Sequence, residues 1–506
     1  MPAEPGDVAT FPALLARNRD EHGAEDAVVT EDRAVSHAGL DADSRALAAW
    51  LVAAGVGKGA RVGLLAPNGI GWAVTAAAVL RVGGVLVPLS TLLRPPELET
   101  QLRVAGVTHL ALARSFRGRS YPDEVAAVAP GLPFLRRTWA IDDPPPPAVE
   151  PALVTALEAA VRPADDLAVV FTSGSRGDPK GTVHTHGGAL GAVAAGLDAR
   201  CVGPGERLYI PMPFFWTGGF ASGLLTALVA GATLLTEAVP EPEATLALLE
   251  RERATLFRGW PDQASRLAAH PRFAAADLSG LGPGSLPAVL PPERRPAPGA
   301  RANLFGMTET FGPYCGARLD RDLPPEARGS CGRPFPGVEG RVAAVPGEVG
   351  EIRLRGPHVM RAICGRTRDA TFDAEGWYPT GDLGSLDAGG YLRYHGRLDD
   401  MFKVRGATVY PAEVEAALRA LDGVRQAHVT NVPAADGGEA VGALVVSEAP
   451  LADLVAGARA RLSAFKVPTR WLVAPSGADV PVTATGKVDK AALQALLADE
   501  REGTPA

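Results

Sequence analysis

A chain of 506 residues is too long for one compact core, so two or more domains are expected. Its make-up, 46% apolar and 21% charged, is that of a soluble globular protein, and a net charge of −7 leaves no general basic footprint for nucleic acid. Four cysteines, Cys201, Cys315, Cys331 and Cys364, stand far apart with no CxxC pair, which argues against a disulfide framework and a zinc site and for a reducing cytoplasm.

The opening MPAEPGDVAT carries acidic residues and no basic-then-apolar pattern, so no secretory signal is expected. ARVGLLA (Ala60–Ala66) reads as a strand, GWAVTAAAVLRVGG as a helix ending in glycines, and VLVPLS as a second strand. That β-α-β order implies a parallel sheet flanked by helices. LAVVFTSG, GATLLTE, ATLFRGW and GEIRLRG add strands, and the proline-rich DDPPPPAVEP and Leu290–Pro298 read as surface loops. Leu208–Thr236 carries no charge, but proline, glycine, serine and threonine interrupt it. A membrane-spanning helix needs ~20 predominantly apolar residues. A buried helix followed by a buried strand is expected there instead.

FTSGSRGDPKGTVHTHGG (Phe171–Gly188) packs glycines, hydroxyls and a lysine together. Against the P-loop pattern G-x-x-x-x-G-K-[ST], Lys180 falls in place. Pro179, however, stands where the second glycine belongs, and Gly181 where the magnesium-binding hydroxyl belongs. What remains is a hydroxyl-rich loop that can wrap an anion, with Thr172, Ser173 and Ser175 as donors and Lys180 as a point charge. The alternative is a solvent loop between a strand and a helix. His184 and His186, with no acidic or cysteine partner nearby in sequence, suit packing and hydrogen bonding better than a metal.

Three further segments concentrate reactive residue types: NLFGMTET (Asn303–Thr310), GWYPTGDL (Gly376–Leu383) and GRLDDMFKVRG (Gly396–Gly406). After the last of these the pattern changes. YPAEVEAALRALDG reads as a helix with proline near its start and glycine past its end, AHVTNVP and EAVGALVVS as a hairpin around a DGG turn, and LADLVAGARARLSAF as a further helix. PVTATGKVDKAAL (Pro481–Leu493) then places Lys487 in a turn before the last helix. The expected architecture is α/β: a large N-terminal domain (residues 1–396) with parallel-rich sheets flanked by helices, and a small mobile α+β C-terminal domain (residues 397–506).

These five motifs, in this order and over essentially the whole chain, resemble the AMP-forming adenylate superfamily, which includes acyl-CoA synthetases, peptide-synthetase adenylation domains and luciferases. The resemblance implies ATP-dependent activation of a carboxylic acid as an acyl-adenylate, release of pyrophosphate, and transfer to a thiol, with acyl-CoA synthetases the nearest group. It implies ATP, Mg2+ and CoA, or a carrier protein's phosphopantetheine in place of CoA, and a cytoplasmic enzyme with neither nucleic-acid partner nor membrane span. Thr172, Ser173, Gly174, Ser175 and Lys180 would hold the β- and γ-phosphates. Phe305 and Gly306 would lie along the adenine and the acyl pocket, Thr308 would donate to the α-phosphate, and Glu309 would hold the magnesium. Asp382 would accept both ribose hydroxyls, Arg397 would contact the ribose or phosphate side, and Lys487 would bridge the substrate carboxylate and α-phosphate. Asp399 matches the family's hinge, and Arg405 and Gly406 would line a thiol tunnel.

The departures from the family are specific. SGSRG replaces the more frequent SGTTG and adds Arg176, expected to face solvent. Trp216 stands where many members carry histidine, and with Gly218, Phe220, Gly259 and Trp260 it is expected to form the substrate pocket. Arg258 is expected to point outward into solvent. LGPGSLP is a divergent adenine strand that makes Gly284 and Ser285 adenine contacts. Two alternatives stay open: a stand-alone adenylation enzyme that loads a separate acyl- or peptidyl-carrier protein, and a repurposed relative acting on an unusual oxyanion.

Overall fold

The computed structural model describes residues 8–143, 146, 149–172, 179–342, 347–404, 407–434, 439–483 and 487–499. The chain divides into two compact units, residues 1–340 with 354–378, and residues 341–353 with 379–506.

The first unit is built on a seven-stranded sheet whose order is Ala362–Ile363, Lys180–Thr185, Asp166–Thr172, Val85–Leu89, Arg61–Leu65, His109–Leu112, Arg137–Ala140. The five strands from Asp166–Thr172 onward run parallel, while Lys180–Thr185 is antiparallel to both its neighbours. Every residue of Val85–Leu89 is buried, as a parallel strand covered on both faces requires. The expected helix forms over Ile70–Arg81 and is buried nearly all round, with Trp72 buried in its first turn. A second sheet, ordered Leu256–Phe257, Arg207–Tyr209, Thr233–Leu235, Asp26–Val29, Ala34–Ser36, is parallel except for its last pair. The uncharged stretch supplies two of these strands and, between them, a buried π-helix over Phe220–Leu225 that runs on into Thr226–Ala230. Among the described residues no helix is long and apolar enough to cross a membrane.

The glycine-rich segment does not follow the alternative reading of a loop between a strand and a helix. Thr172 pairs with Lys180 across an antiparallel ladder, so the loop joins two strands, and the helix begins only at His186, where Thr185 accepts from the Gly188 amide. The reason lies in GTVHT: Thr182, Val183 and Thr185 are β-branched and fit a pleated surface, and the Thr182 hydroxyl donates to Val170 O at 2.8 Å.

One buried group in this unit ties stability to pH. The Glu237 carboxylate is 1% exposed, and its Oε2 accepts from Tyr209 Oη (2.6 Å) and Thr245 Oγ1 (2.7 Å). Burial pushes it up from its ordinary 4.5 to about 7, against the two hydroxyl donors. The neutral form is therefore favoured in the fold. Its contribution is full below about pH 4.5 and is lost as pH rises through about 7. Glu237→Gln, a permanently neutral mimic, should melt like the wild type at pH 5 and outlast it at pH 8.5. The gap should be of the order of 3 kcal/mol, at 1.36 kcal/mol per pH unit. Melting curves at the two pH values measure it, and an equal gap at both would rule out titration of Glu237.

In the second unit, Val424–Pro433 and Glu439–Ser447 form the expected antiparallel hairpin, and Arg470–Ala474 joins it in parallel. Alternate residues of one strand serve two faces. Val441, Ala443 and Val445 pack with Val414 and Leu418 of helix Pro411–Arg419, while Leu444 and Val446 pack with Leu493 and Leu497 of helix Lys490–Asp499. The last helix thereby hangs on this sheet, with Lys487 just ahead of it.

Candidate active site

The site residues of the first unit gather on a few short pieces. Thr172 and Lys180 face each other at the ends of their strands; Ser173, Gly174, Ser175 and Arg176 lie outside the described residues. A second hairpin pairs Phe305–Met307 with Gly312–Gly316. Only glycine fits at 306, because a methyl group there would stand 2.2 Å from Gly312 O. The Phe305 ring meets Tyr314 edge-on at 5.6 Å. The turn Thr308–Thr310 follows directly and closes with Phe311 in the left-handed region, at φ 56°.

That turn is anchored from three sides. Glu309 is 7% exposed, its Oε1 accepts from Tyr378 Oη at 3.0 Å, and its backbone oxygen accepts from Met360 N at 2.7 Å. His184 hydrogen-bonds the Thr308 backbone, and its ring lies 4.8 Å from Phe311. Burial pushes His184 down to about 3, so it stays neutral. His186 is likewise buried and neutral, pushed down to about 4 by burial, and its Nδ1 accepts from Phe11 N at 3.1 Å. Both histidines thus pack and hydrogen-bond, as their isolation in sequence suggested. Tyr378 was not singled out from the sequence, although it sits in GWYPTGDL four residues before Asp382.

Of the expected pocket residues, Trp216 and Trp260 come together edge to face at 5.7 Å, with Phe215 against Trp216 at 5.1 Å. Gly218 packs against a side chain, where a methyl would meet Met212 Sδ at 2.7 Å, and Gly259 adopts φ 143°. Phe220 is 1% exposed, its ring wedged between Trp72 (5.4 Å) and Phe311 (5.7 Å).

Arg258 corrects an expectation. Instead of reaching into solvent it turns inward, donating from Nη2 to Arg200 O at 2.5 Å, and burial pushes its guanidinium down to about 10. Phe257, the last residue of its strand, is buried just before it, and the Arg200 carbonyl offers the inward guanidinium an acceptor. The same corner holds Gly284 and Ser285. A methyl on Gly284 would stand 3.0 Å from Arg258 Nη2, and the 4%-exposed Ser285 accepts through Oγ from Phe257 N at 3.0 Å.

In the second unit Asp382 lies opposite Arg397 in an antiparallel pair. Arg397 Nη1 donates to Asp382 Oδ1 (3.0 Å) and Thr380 O (2.9 Å), and Asp382 is 7% exposed. Gly381 lies within the strand Tyr378–Leu386 yet adopts φ 71°, a kink that a side chain would obstruct: a methyl would fall 2.9 Å from Arg397 Nη2. Asp399 lies in the short helical turn Leu398–Asp400, and its side chain is outside the description, as are Arg405 and Gly406. Lys487 is exposed and its carbonyl accepts from Thr483 N at 2.7 Å, while Val482 bridges to Val488. Among the described residues no cluster of three or more histidine, cysteine, aspartate or glutamate side chains could by itself hold a metal ion.

The chain resembles known proteins over nearly its whole length. The AMP-binding enzyme family pattern matches residues 15–363, and that of the AMP-binding enzyme C-terminal domain matches residues 413–487. A methyl-dioxo-octahydroindenyl-propanoyl:CoA ligase of Mycobacterium tuberculosis is 34% identical over 526 aligned residues, covering 97% of this chain and 99% of that protein. A feruloyl-CoA synthase of an Amycolatopsis species is 34% identical over 478 residues, covering 90% and 93%. Among solved structures, ATP-bound MatB from Rhodopseudomonas palustris superposes with a TM-score of 0.80 at 26% identity, covering 97% of this chain and 99% of that one.

Proposed function

The chain belongs to the AMP-binding enzyme family, and from that premise we propose that it activates a ring-bearing carboxylic acid as its acyl-adenylate and passes the acyl group to CoA. A carboxylate resists thiol attack because oxide would have to leave. Once its oxygen has attacked the α-phosphate of ATP, AMP becomes the leaving group and pyrophosphate departs. Nucleophile and triphosphate are both anionic, so positioning and charge neutralisation carry most of the catalysis.

In this reading Thr172 and Lys180, with Ser173, Gly174 and Ser175 between them, hold the β- and γ-phosphates at the mouth of the strand pair. Phe305 and Gly306 flank the adenine with Gly284 and Ser285. Thr308 donates to the α-phosphate. Asp382, oriented by Arg397, accepts from the ribose hydroxyls. Lys487 meets the charge that builds between carboxylate and α-phosphate. The smaller domain, residues 397–506, turns at Asp399 and opens a path for the thiol past Arg405 and Gly406. Glu309 suits Mg2+: a single braced carboxylate with substrate phosphates is the oxygen set that ion takes, and the ion supplies charge neutralisation when bound. ATP and CoA as substrates, with all four cysteines free, support the cytoplasm as its place of work.

The observation that carries the choice of acid is the Trp216–Trp260 pair, 5.7 Å apart beside Gly218 and Gly259. Two indoles set edge to face make an apolar corner against which a ring can pack. The acyl groups named for two relatives, feruloyl and octahydroindenyl-propanoyl, both carry rings, aromatic in the first and saturated in the second. The test is thioester formation from CoA across aryl, alkyl, amino and dicarboxylic acids. Aryl or fused-ring acids should give the highest kcat/KM, and Trp216→Ala should lower it about tenfold for them and leave short alkyl acids unaffected. A preference for alkyl chains would overturn the choice of acid. Acyl transfer to a carrier protein with none to CoA would overturn the choice of acceptor.

A further inference from the structure

The chain has six lysines against 44 arginines, and one of the six stands where a helix least favours a cation. Lys490 is the first residue of helix Lys490–Asp499, an end made positive by its free N–H groups. The preceding Asp489 already serves that end, its Oδ1 accepting from Ala492 N at 3.0 Å. Lys490 instead forms an ion pair through Nζ with Asp400 Oδ2. Asp400 closes the turn Leu398–Asp400, which contains Asp399.

A cavity of about 250 Å3 lies at this point of the second unit. Gly396, Arg397 and Asp400 line it from the side of the turn, and Val488, Lys490 and Leu493 from the side of the last helix. Packed side chains do not fill that space, so the Lys490–Asp400 pair spans a gap. Lys487 is tied to the helix end of this bridge by hydrogen bonds of the residues on either side. Thr483 N donates to Lys487 O (2.7 Å), Asp489 N donates to Pro481 O (2.8 Å), and Val482 bridges to Val488.

We propose that Lys490 and Asp400 are a positioning pair that fixes the Lys487 turn relative to the Asp399 turn, so that rotation at Asp399 delivers the Lys487 ammonium to one place. The inference rests on the reading of Lys487 and Asp399 given above. Both partners belong to the same unit, so the pair acts through Lys487 and only on the half-reaction that uses Lys487.

The full chain is assayed in both halves: acid-dependent ATP–pyrophosphate exchange, and thioester formation from CoA and supplied acyl-adenylate. Lys490→Ala should lower kcat for exchange roughly tenfold. Its KM for ATP and its thioester rate should stay within about twofold of wild type. The melting temperature should move by less than about 2 °C, because a partly exposed pair adds little to stability. Lys490→Arg should recover most of the exchange rate. The reciprocal exchange, Lys490→Asp with Asp400→Lys, should work better than either single change. Wild-type exchange by Lys490→Ala, in an assay where Lys487→Ala is inactive, would overturn the pairing. So would a loss of both half-reactions with a lowered melting temperature, or a reciprocal variant no better than the single ones. Wild-type exchange by Lys487→Ala would overturn the role of Lys487 and the pairing with it.

Discussion

Lys487→Ala should lose acyl-adenylate formation by about 10²–10³-fold while thioester formation from supplied adenylate continues at close to the wild-type rate. The magnitude follows from what the ammonium does. As the substrate carboxylate closes on the α-phosphate, two anionic centres share one small space, and a compact cation there stabilises the transition state more than the separated reactants. The split follows from timing, since the thioester step starts from an adenylate in which that charge has already been redistributed. Lys487 is exposed on a closed turn, so alanine removes the charge without opening a cavity, and stability should not move. Lys487→Arg keeps the charge but spreads it over a planar fork and should recover only part of the rate. Rapid-quench measurement of each half-reaction gives the two numbers. Equal losses in both would remove the assigned role.

The second large effect is expected at Glu309. Its carboxylate is 7% exposed, with Oε1 fixed by the Tyr378 hydroxyl at 3.0 Å. Glu309→Gln keeps the shape and an acceptor for Tyr378 but removes the charge that a hard dication needs. Adenylation should fall at least about a hundredfold and demand far more Mg2+ for half-maximal rate. Tyr378→Phe removes only the brace, so its loss should be about tenfold or less, in line with one hydrogen bond to a charged group. A magnesium titration of the exchange rate separates the two variants. An unchanged magnesium requirement in Glu309→Gln would mean that Glu309 acts on something other than the ion.

Order along the chain was legible where one residue type is forced by local geometry. Gly306, Gly381 and Gly259 mark close approaches or left-handed turns that glycine alone accepts, and motifs built on such positions can be read without coordinates. The β-α-β start was legible because its strands are continuously apolar. What escaped depends on long-range partners. The inward course of Arg258 is set by a carbonyl 58 residues away in sequence, and nothing in FRGWP announces it. The Glu309–Tyr378 bond joins two motifs that the sequence shows only separately. The glycines of Phe171–Gly188 mask the strand Lys180–Thr185, whose β-branched residues pair with a partner strand that lies before the loop. The buried Glu237 cluster shows the same limit: a glutamate after an apolar strand reads as surface until Tyr209 and Thr245 are seen to close over it.

Acid-dependent exchange of labelled pyrophosphate into ATP tests the account most directly, because it requires the acyl-adenylate to form reversibly and needs no thiol. The account predicts exchange with ring-bearing acids, strict dependence on Mg2+, and loss in Lys487→Ala. Binding of ATP with no exchange for any acid, across aryl, alkyl, amino and dicarboxylic classes, would contradict it.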